Sequence, residues 1–285
     1  MKDPAKTRDR EMRLILILAI TALFVQNSTA QAPNPLNTNE DFHRFYFYGG
    51  WNSGTYSKSD ITFSGVDYDF LLENVVAKDR QTPFSIDQYI NPKNITIPQY
   101  NFRIGYFIKK NWDISFGIDH MKYVMQADQT VKITGEIANS NTPYDGSYAN
   151  EAIKLTEDFL KFEHTDGLNY VNVALRRSQE LLDFNKIKVN TVLGAGISVL
   201  YPRTNTTLLS RERNDEFHLS GFGLDGTVGL NVTFFDGFFI QSELKGGYIN
   251  MPDITTTKSD LDKASQDFFF GQGNITFGAI IKIKK

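Results

Sequence analysis

The chain of 285 residues contains no cysteine and only four histidines. Without cysteine it can form no disulfide, no reactive thiolate and no cysteine-ligated zinc site. The histidines are scattered rather than set at the tight spacing of metal ligands. No glycine-rich phosphate-binding motif occurs, because the glycines alternate with apolar residues. We therefore expect neither a metal nor another cofactor.

A basic excess is also missing, since 30 lysines and arginines face 33 aspartates and glutamates. This balance does not indicate a nucleic-acid-binding surface.

The one long apolar run, residues 14–25, is too short for a bilayer helix. It follows Met12 and Arg13 and precedes two small-x-small cleavage patterns within 28–32, so we predict a signal peptide at 1–30 and a polar periplasmic leader at 31–42. Translation could start at Met1 or at Met12.

The most regular stretch is 217–249, where apolar residues occupy every second position in two arms. Phe235-Asp236-Gly237 separates the arms, and Asp-Gly between alternating hydrophobics predicts a hairpin. The opposite faces are rich in glycine and charge. Such long arms are typical of a transmembrane β-barrel, in which one face contacts lipid and the other lines the lumen.

Similar alternation recurs through residues 43–285. Strands are predicted at 43–52, 99–108, 112–125, 162–177, 187–201, 217–234, 238–249 and 268–283. Long connections alternate with short ones, as in outer-membrane barrels with long extracellular loops and short periplasmic turns. The predicted fold is thus all-β, an antiparallel up-and-down transmembrane barrel of about eight strands. We expect the long loops to extend the strands above the membrane or to fold back as a partial plug.

The main structural alternative is a secreted soluble barrel with its apolar faces turned inward, as in lipocalins. The glycines and paired charges of the polar face suit a narrow lumen better than a solvated exterior. We expect these charges to form an interior ion-pair network, because buried charges need partners. An acid/base pair of Asp119 with Glu243 is a second interpretation. The predicted network consists of Arg44, Arg103, Asp113, Asp119, Arg176, Asp225, Glu243 and Lys245.

In architecture the chain resembles the small eight-stranded outer-membrane barrels of Gram-negative bacteria, which include adhesion, defence and lipid A-modifying proteins. The stretches PQYNFRIGYF, ISFGIDHMKYVM and KFEHTDGLNY are similar to a group of bacterial barrels of unassigned activity. Two features depart from the small barrels. The chain ends in IKIKK, where many of them end on an aromatic residue, and its first two loops are unusually long. The resemblance implies a monomer in the bacterial outer membrane.

Histidines near the predicted loop rim suggest two catalytic candidates. His164 and Asp166, with His120 beside them, could form a general-base pair. His218 and Ser220 share one strand face that should point to lipid. This His-x-Ser pattern resembles the catalytic pair of the outer-membrane lipid A deacylases, with Ser220 as nucleophile and His218 as base. The acidic residue of that family is missing at the matching distance, near Asn231.

Three functions remain open from the sequence. The first is a barrel that displays its loops for surface interaction or envelope integrity, with an extracellular ligand bound through 53–98 and 126–161. The second is a lipid A-modifying enzyme using rim or lipid-facing histidines, with lipopolysaccharide or phospholipid as partner. The third is a narrow porin-like channel, which fits least because bulky inward side chains leave no obvious bore.

Overall fold

A computed structural model describes residues 44–80 and 99–283. The predicted signal peptide, the leader and the middle of the first long loop lie outside these ranges. The described residues form strands, turns and bends. No helix among them is long and apolar enough to span a bilayer. The strands are β1 (Arg44–Tyr56), β2 (Ser59–Ser64), β3 (Tyr68–Val75), β4 (Ala77–Lys78), β5 (Tyr100–Lys109), β6 (Trp112–Met125), β7 (Thr130–Ile137), β8 (Gly146–Lys154), β9 (Leu160–Asp183), β10 (Ile187–Leu200), β11 (Arg203–Leu208), β12 (Asn214–Phe217), β13 (Gly221–Phe234), β14 (Phe238–Thr255) and β15 (Lys263–Lys282).

Eight of these strands close into a ring, in the order β1, β5, β6, β9, β10, β13, β14 and β15. Each neighbouring pair is antiparallel, and β1 closes the ring on β15 from Arg44↔Lys282 to Tyr56↔Phe270. Closure satisfies the backbone hydrogen bonds of every strand and leaves no open edge in the ring. The predicted eight-stranded antiparallel barrel is confirmed.

The two faces of the ring differ sharply in polarity. Outward side chains such as Ile104 and Phe116 are each 45% exposed, whereas inward Arg103 and Glu243 are each 4% exposed. Large exposed hydrophobics continue in this way around the ring. An apolar exterior around a polar interior is the arrangement of a membrane barrel, because lipid replaces water outside. The alternative of a soluble barrel with an apolar interior is therefore wrong.

Short connections lie at one end of the ring, which we call the turn end, together with Arg44 and Lys282. They comprise residues 110–111, 184–186 and 235–237. In the last of these, Phe235 and Asp236 have φ angles of 53° and 55°, and the amide of Gly237 donates to the carbonyl of Phe234. Two positive φ values in succession are characteristic of a type I′ turn. The hairpin is as predicted, but Phe235 and Asp236, not the Asp-Gly pair, hold the central positions.

At the opposite end, the loop end, the long connections fold into a second structure that we call the loop-end body. The β2–β3 hairpin pairs with β15 where β15 extends past β1, and the β7–β8 hairpin pairs with β3. Strand β4 joins β6, and β11 joins the long start of β9. The described parts of these loops thus form strands, which pair with one another and with the ring strands beyond the ring.

The loop-end body has its own hydrophobic core, which is continuous across the top of the barrel. It is built from aromatic and aliphatic side chains of both hairpins and of the ring strands, with rings of Phe63 and Phe70 stacked at 5.2 Å. Full burial of each large apolar side chain contributes roughly 1.5–3 kcal/mol. Its fully buried aromatic members are Phe63, Phe70, Tyr123, Phe159, Phe162, Tyr170 and Phe268.

Candidate functional site

The half of the lumen nearer the turn end contains a buried ion pair between Arg176 and Glu243, whose side chains are 4% and 2% exposed. The Nη1 group of Arg176 also donates to the hydroxyl of Tyr48 at 2.8 Å. Glu243 accepts further bonds from the side-chain amides of Gln241 and Asn274, at 2.7 and 3.3 Å. These contacts satisfy a charge pair that would otherwise be strongly destabilising inside a barrel.

A second buried ion pair, Lys245 with Asp119, lies nearer the loop end. Asp119 and Glu243 are thus each neutralised by a different cation, so the predicted acid/base pair of these two carboxylates is wrong. The interior network interpretation fits this arrangement, because each carboxylate has a charged partner.

The other predicted lumen charges have mainly neutral partners. Asp225 accepts from the Tyr170 hydroxyl at 2.9 Å, and Asp113 accepts from the Tyr46 hydroxyl at 2.7 Å. Arg103 donates to Ser115 and Asn172 at 2.9 and 2.8 Å. Arg44 stands apart at the turn end, where it donates to the carbonyl of Lys110 and covers the Phe107 ring.

The charged side chains of the lumen were considered from the sequence, but the tyrosine and amide side chains that hydrogen-bond to them were not identified. Tyr48 is one of the bulky inward side chains, and its hydroxyl contacts both members of the Arg176–Glu243 pair. Asn172 likewise joins Arg103 to Asp225. Strand alternation predicts that both side chains point into the lumen. A polar side chain on the lumen face, at the same height as a charged one, is therefore the sequence signal for these contacts.

His164, Asp166 and His120 do not form a catalytic pair. His164 is fully buried in the loop-end body, where Nδ1 bonds Thr204 Oγ1 at 2.9 Å and Nε2 is 3.3 Å from the Gln266 amide nitrogen. Burial lowers the pKa of His164 to about 3. Asp166 instead pairs with Arg203 at 3.0 Å. The expectation that these side chains converge at the rim is wrong.

His120 bonds the Asn169 side chain at 2.9 Å and stacks on the Tyr100 ring at 5.1 Å. It diverges from His164 because the two side chains take opposite faces of the sheet, His120 outward beside Tyr100 and His164 fully buried. Gly167 has a φ of +121°, and the β6–β9 register shifts between Met121 and Tyr123. This bulge places residues 165–167 of β9 opposite one residue of β6, and within it Asp166 is exposed.

The structure also contradicts the arrangement predicted for His218 and Ser220. Strand β12 ends at Phe217 and β13 begins at Gly221, so the two residues lie in a link and not on one strand face. Ser220 is 1% exposed, and its hydroxyl donates to the His218 carbonyl at 3.4 Å instead of approaching the imidazole. The prediction that both side chains point to lipid is therefore wrong for Ser220.

His218 does have a carboxylate neighbour that the sequence did not reveal. Its Nε2 lies 3.3 Å from Asp253 Oδ2, and Lys263 Nζ lies 2.8 Å from the other oxygen of Asp253. Asp253 lies on β14, and strand pairing brings it to the rim. The result is a half-exposed polar cluster at the rim. Among residues 44–80 and 99–283, no group of three or more His, Asp or Glu side chains could hold a metal ion.

Comparisons with known proteins return likenesses of fold only. No family model matches the chain, and no curated protein matches it. Among solved structures it is similar to the outer membrane protein OprG from Pseudomonas aeruginosa, with 11% identity over 86% of this chain and 98% of that one, at a TM-score of 0.37.

Two further structures show the same pattern. The neisserial surface protein NspA matches with 12% identity over 84% of this chain and 97% of its own, at a TM-score of 0.33. The attachment invasion locus protein Ail of Yersinia pestis matches with 10% identity over 80% and 99%, at a TM-score of 0.29. The closed ring and apolar exterior observed directly in this chain make it an eight-stranded β-barrel with the polarity of a membrane barrel.

Proposed function

We propose that this protein is an outer-membrane barrel whose loop-end body lies outside the cell and serves as a surface for interaction with other molecules. The observation that carries the proposal is the loop-end body itself. A hydrophobic core continuous with the barrel top would hold the projecting hairpins at a fixed position. Binding residues are commonly presented on loops held by such a rigid scaffold.

A pore is less well supported. The lumen is crossed by the Arg176–Glu243 and Lys245–Asp119 pairs, and the apolar core of the loop-end body lies above them. Inward Tyr170 is fully buried between these two regions and packs on Phe270 at 5.4 Å. An eight-stranded barrel is just wide enough for side chains to fill it.

A lipid A hydrolase also has less support, because Ser220 is buried and its hydroxyl is not bonded to the His218 ring.

The surface best suited to binding a partner is β8. Most of its residues are exposed, and within the described strands it pairs only with β7. A free strand edge can accept a further strand from a binding partner.

The orientation can be tested with single cysteines, since the chain has none of its own. We expect Ser147→Cys on β8 to react with a membrane-impermeant maleimide on intact cells. Lys186→Cys, in a turn at the opposite end, should react only after the outer membrane is permeabilised. Labelling of Lys186→Cys alone on intact cells would reverse the orientation and remove the basis of the proposal.

Interaction itself is tested by cell attachment. Cells producing the protein are compared with cells lacking it on surfaces coated with matrix protein, with sulfated glycan or with cells of the same strain. We expect attachment to at least one surface, and the variant Ala149→Arg/Ala152→Arg on exposed β8 should lose most of it. The control Val66→Arg changes an exposed tip of the neighbouring β2–β3 hairpin and should retain it. Equal attachment with and without the protein on every surface contradicts the proposal.

A further inference from the structure

The turn end of the barrel contains a cavity of about 570 Å³ that the proposed surface role does not use. It lies inside the ring, between the turns and the Arg176–Glu243 pair. Its size falls in the range of small-molecule sites, about 300–1,000 Å³. Its walls differ from those of the usual apolar pocket, because polar and charged side chains dominate them.

Cationic groups are in excess around this cavity. Five lining side chains are cationic and three are carboxylates, and Glu243 behind the wall compensates Arg176, so one positive charge remains. Two of the carboxylates are already engaged, Asp236 by Lys188 at 3.0 Å and Asp113 by the Tyr46 hydroxyl at 2.7 Å. The cations are Arg44, Lys110, Arg176, Lys188 and Lys282.

Two of these cations stand at the mouth with no carboxylate partner. In the described part of the chain, no ion pair includes Lys110 or Lys282, and both side chains are exposed. They come from opposite flanks of β1, since Lys110 follows β5 and Lys282 ends β15. Cations arranged around a confined opening attract anions and raise their local concentration.

Arg176, which lines the cavity, also carries a buried donor without a partner in the part of the chain that the structure describes. Arg176 is 4% exposed, and two of its nitrogens bond Glu243 and Tyr48, but its Nε group has no hydrogen-bond partner among the described residues. A buried donor left without a partner is uncommon and calls for an acceptor. A guanidinium group suits carboxylate and phosphate oxygens in particular.

We infer that this turn-end cavity binds a compact soluble polyanion carrying two or more carboxylate or phosphate groups. One anionic group would contact the inner wall at Arg176, and a second would be held at the mouth by Lys110 and Lys282. In the orientation proposed above, the cavity opens to the periplasm. The cavity lies within the ring rather than on its lipid face, so a dissolved solute is the expected ligand and not a lipid headgroup.

The test uses calorimetry of the full-length protein in neutral detergent at low ionic strength, with pyrophosphate and citrate as probes and sucrose as the uncharged control. We expect at least one polyanion to bind in a 1:1 ratio, and sucrose not to bind. Added salt should weaken binding, because screening reduces attraction between exposed charges. If neither polyanion binds the unaltered protein, the inference is wrong.

Three variants locate the site. Lys110→Gln/Lys282→Gln should weaken binding at least tenfold, and Ser178→Trp should block it by filling the cavity without removing a charge. Lys186→Gln is the matched control, since it removes an exposed lysine from the same end that does not line the cavity. Its affinity should remain within about twofold of the original. Equal losses in Lys186→Gln and in the double variant would mean non-specific attraction and would overturn the inference, as would full binding by Ser178→Trp.

Discussion

Glu243→Ala is expected to destabilise the barrel by about 3–5 kcal/mol, because it removes one partner of a buried ion pair. Arg176 would remain charged in a lumen where both side chains are almost completely excluded from water. Gln241 and Asn274 would each lose an acceptor at the same time. The free energy of unfolding can be measured by urea titration in detergent, with the shift in gel migration and tryptophan fluorescence as two readouts.

Two comparisons separate loss of the charge pair from loss of a side chain. Arg176→Met/Glu243→Met removes both charges and should recover much of the lost stability, since apolar residues can replace a buried ion pair at little cost. Glu151→Ala removes an exposed carboxylate on β8 and should stay within about 0.5 kcal/mol of the original. If Glu243→Ala falls within that same margin, the Arg176–Glu243 pair does not stabilise the lumen.

The ring was predictable because strand alternation and turns are local properties of the sequence. Strand β6 runs from Trp112 to Met125, as the alternation predicted, and the eight ring strands appear in the expected order. The inward charges were also predictable, since polarity alternates with side-chain direction along each strand. Even the outward direction of the apolar faces followed from the glycine and charge of the opposite faces.

Which charges pair with each other was not predictable, because it depends on ring closure. Asp119 and Lys245 are 126 positions apart and lie on strands that are not neighbours in the ring. Their contact crosses the lumen. The position of each side chain along the barrel axis depends on the relative stagger of all the strands. The same reason explains why Asp119 with Glu243 was a reasonable but wrong expectation.

The catalytic candidates failed for a different reason, which is the irregular backbone at Asp166 and at Ser220. Gly167 sits at a bulge in β9, and the link at 218–220 separates β12 from β13. The β6–β9 register shifts by two residues at this bulge, so His164 keeps its inward face while Asp166 is exposed. The docking of the β2–β3 hairpin on β15, which buries His164 through Gln266, is a long-range contact that no local pattern encodes.

That burial makes the loop-end body sensitive to acid. His164 keeps a pKa of about 3 in the folded protein, against about 6.5 when exposed, so below about pH 6.5 the unfolded state binds a proton that the folded state does not. Stability is therefore lost as pH falls, by about 1.4 kcal/mol for each unit below 6.5. Between about pH 7 and pH 5 the loss should be about 2 kcal/mol.

Hydrogen exchange reports this loss directly, because opening of the loop-end body exposes its amides. At about pH 5, the opening equilibrium at β11 and at 263–266, corrected for intrinsic exchange, should rise about thirtyfold relative to about pH 7. Other groups titrate in the same range, so the decisive comparison is between the pH dependence of this opening equilibrium in the unaltered protein and in His164→Gln. This variant should lose most of the pH dependence even if it is less stable at neutral pH. His218→Gln, which alters a half-exposed histidine at the rim, should retain it. An unchanged pH dependence in His164→Gln would show that His164 is not the group whose burial makes this body acid-labile.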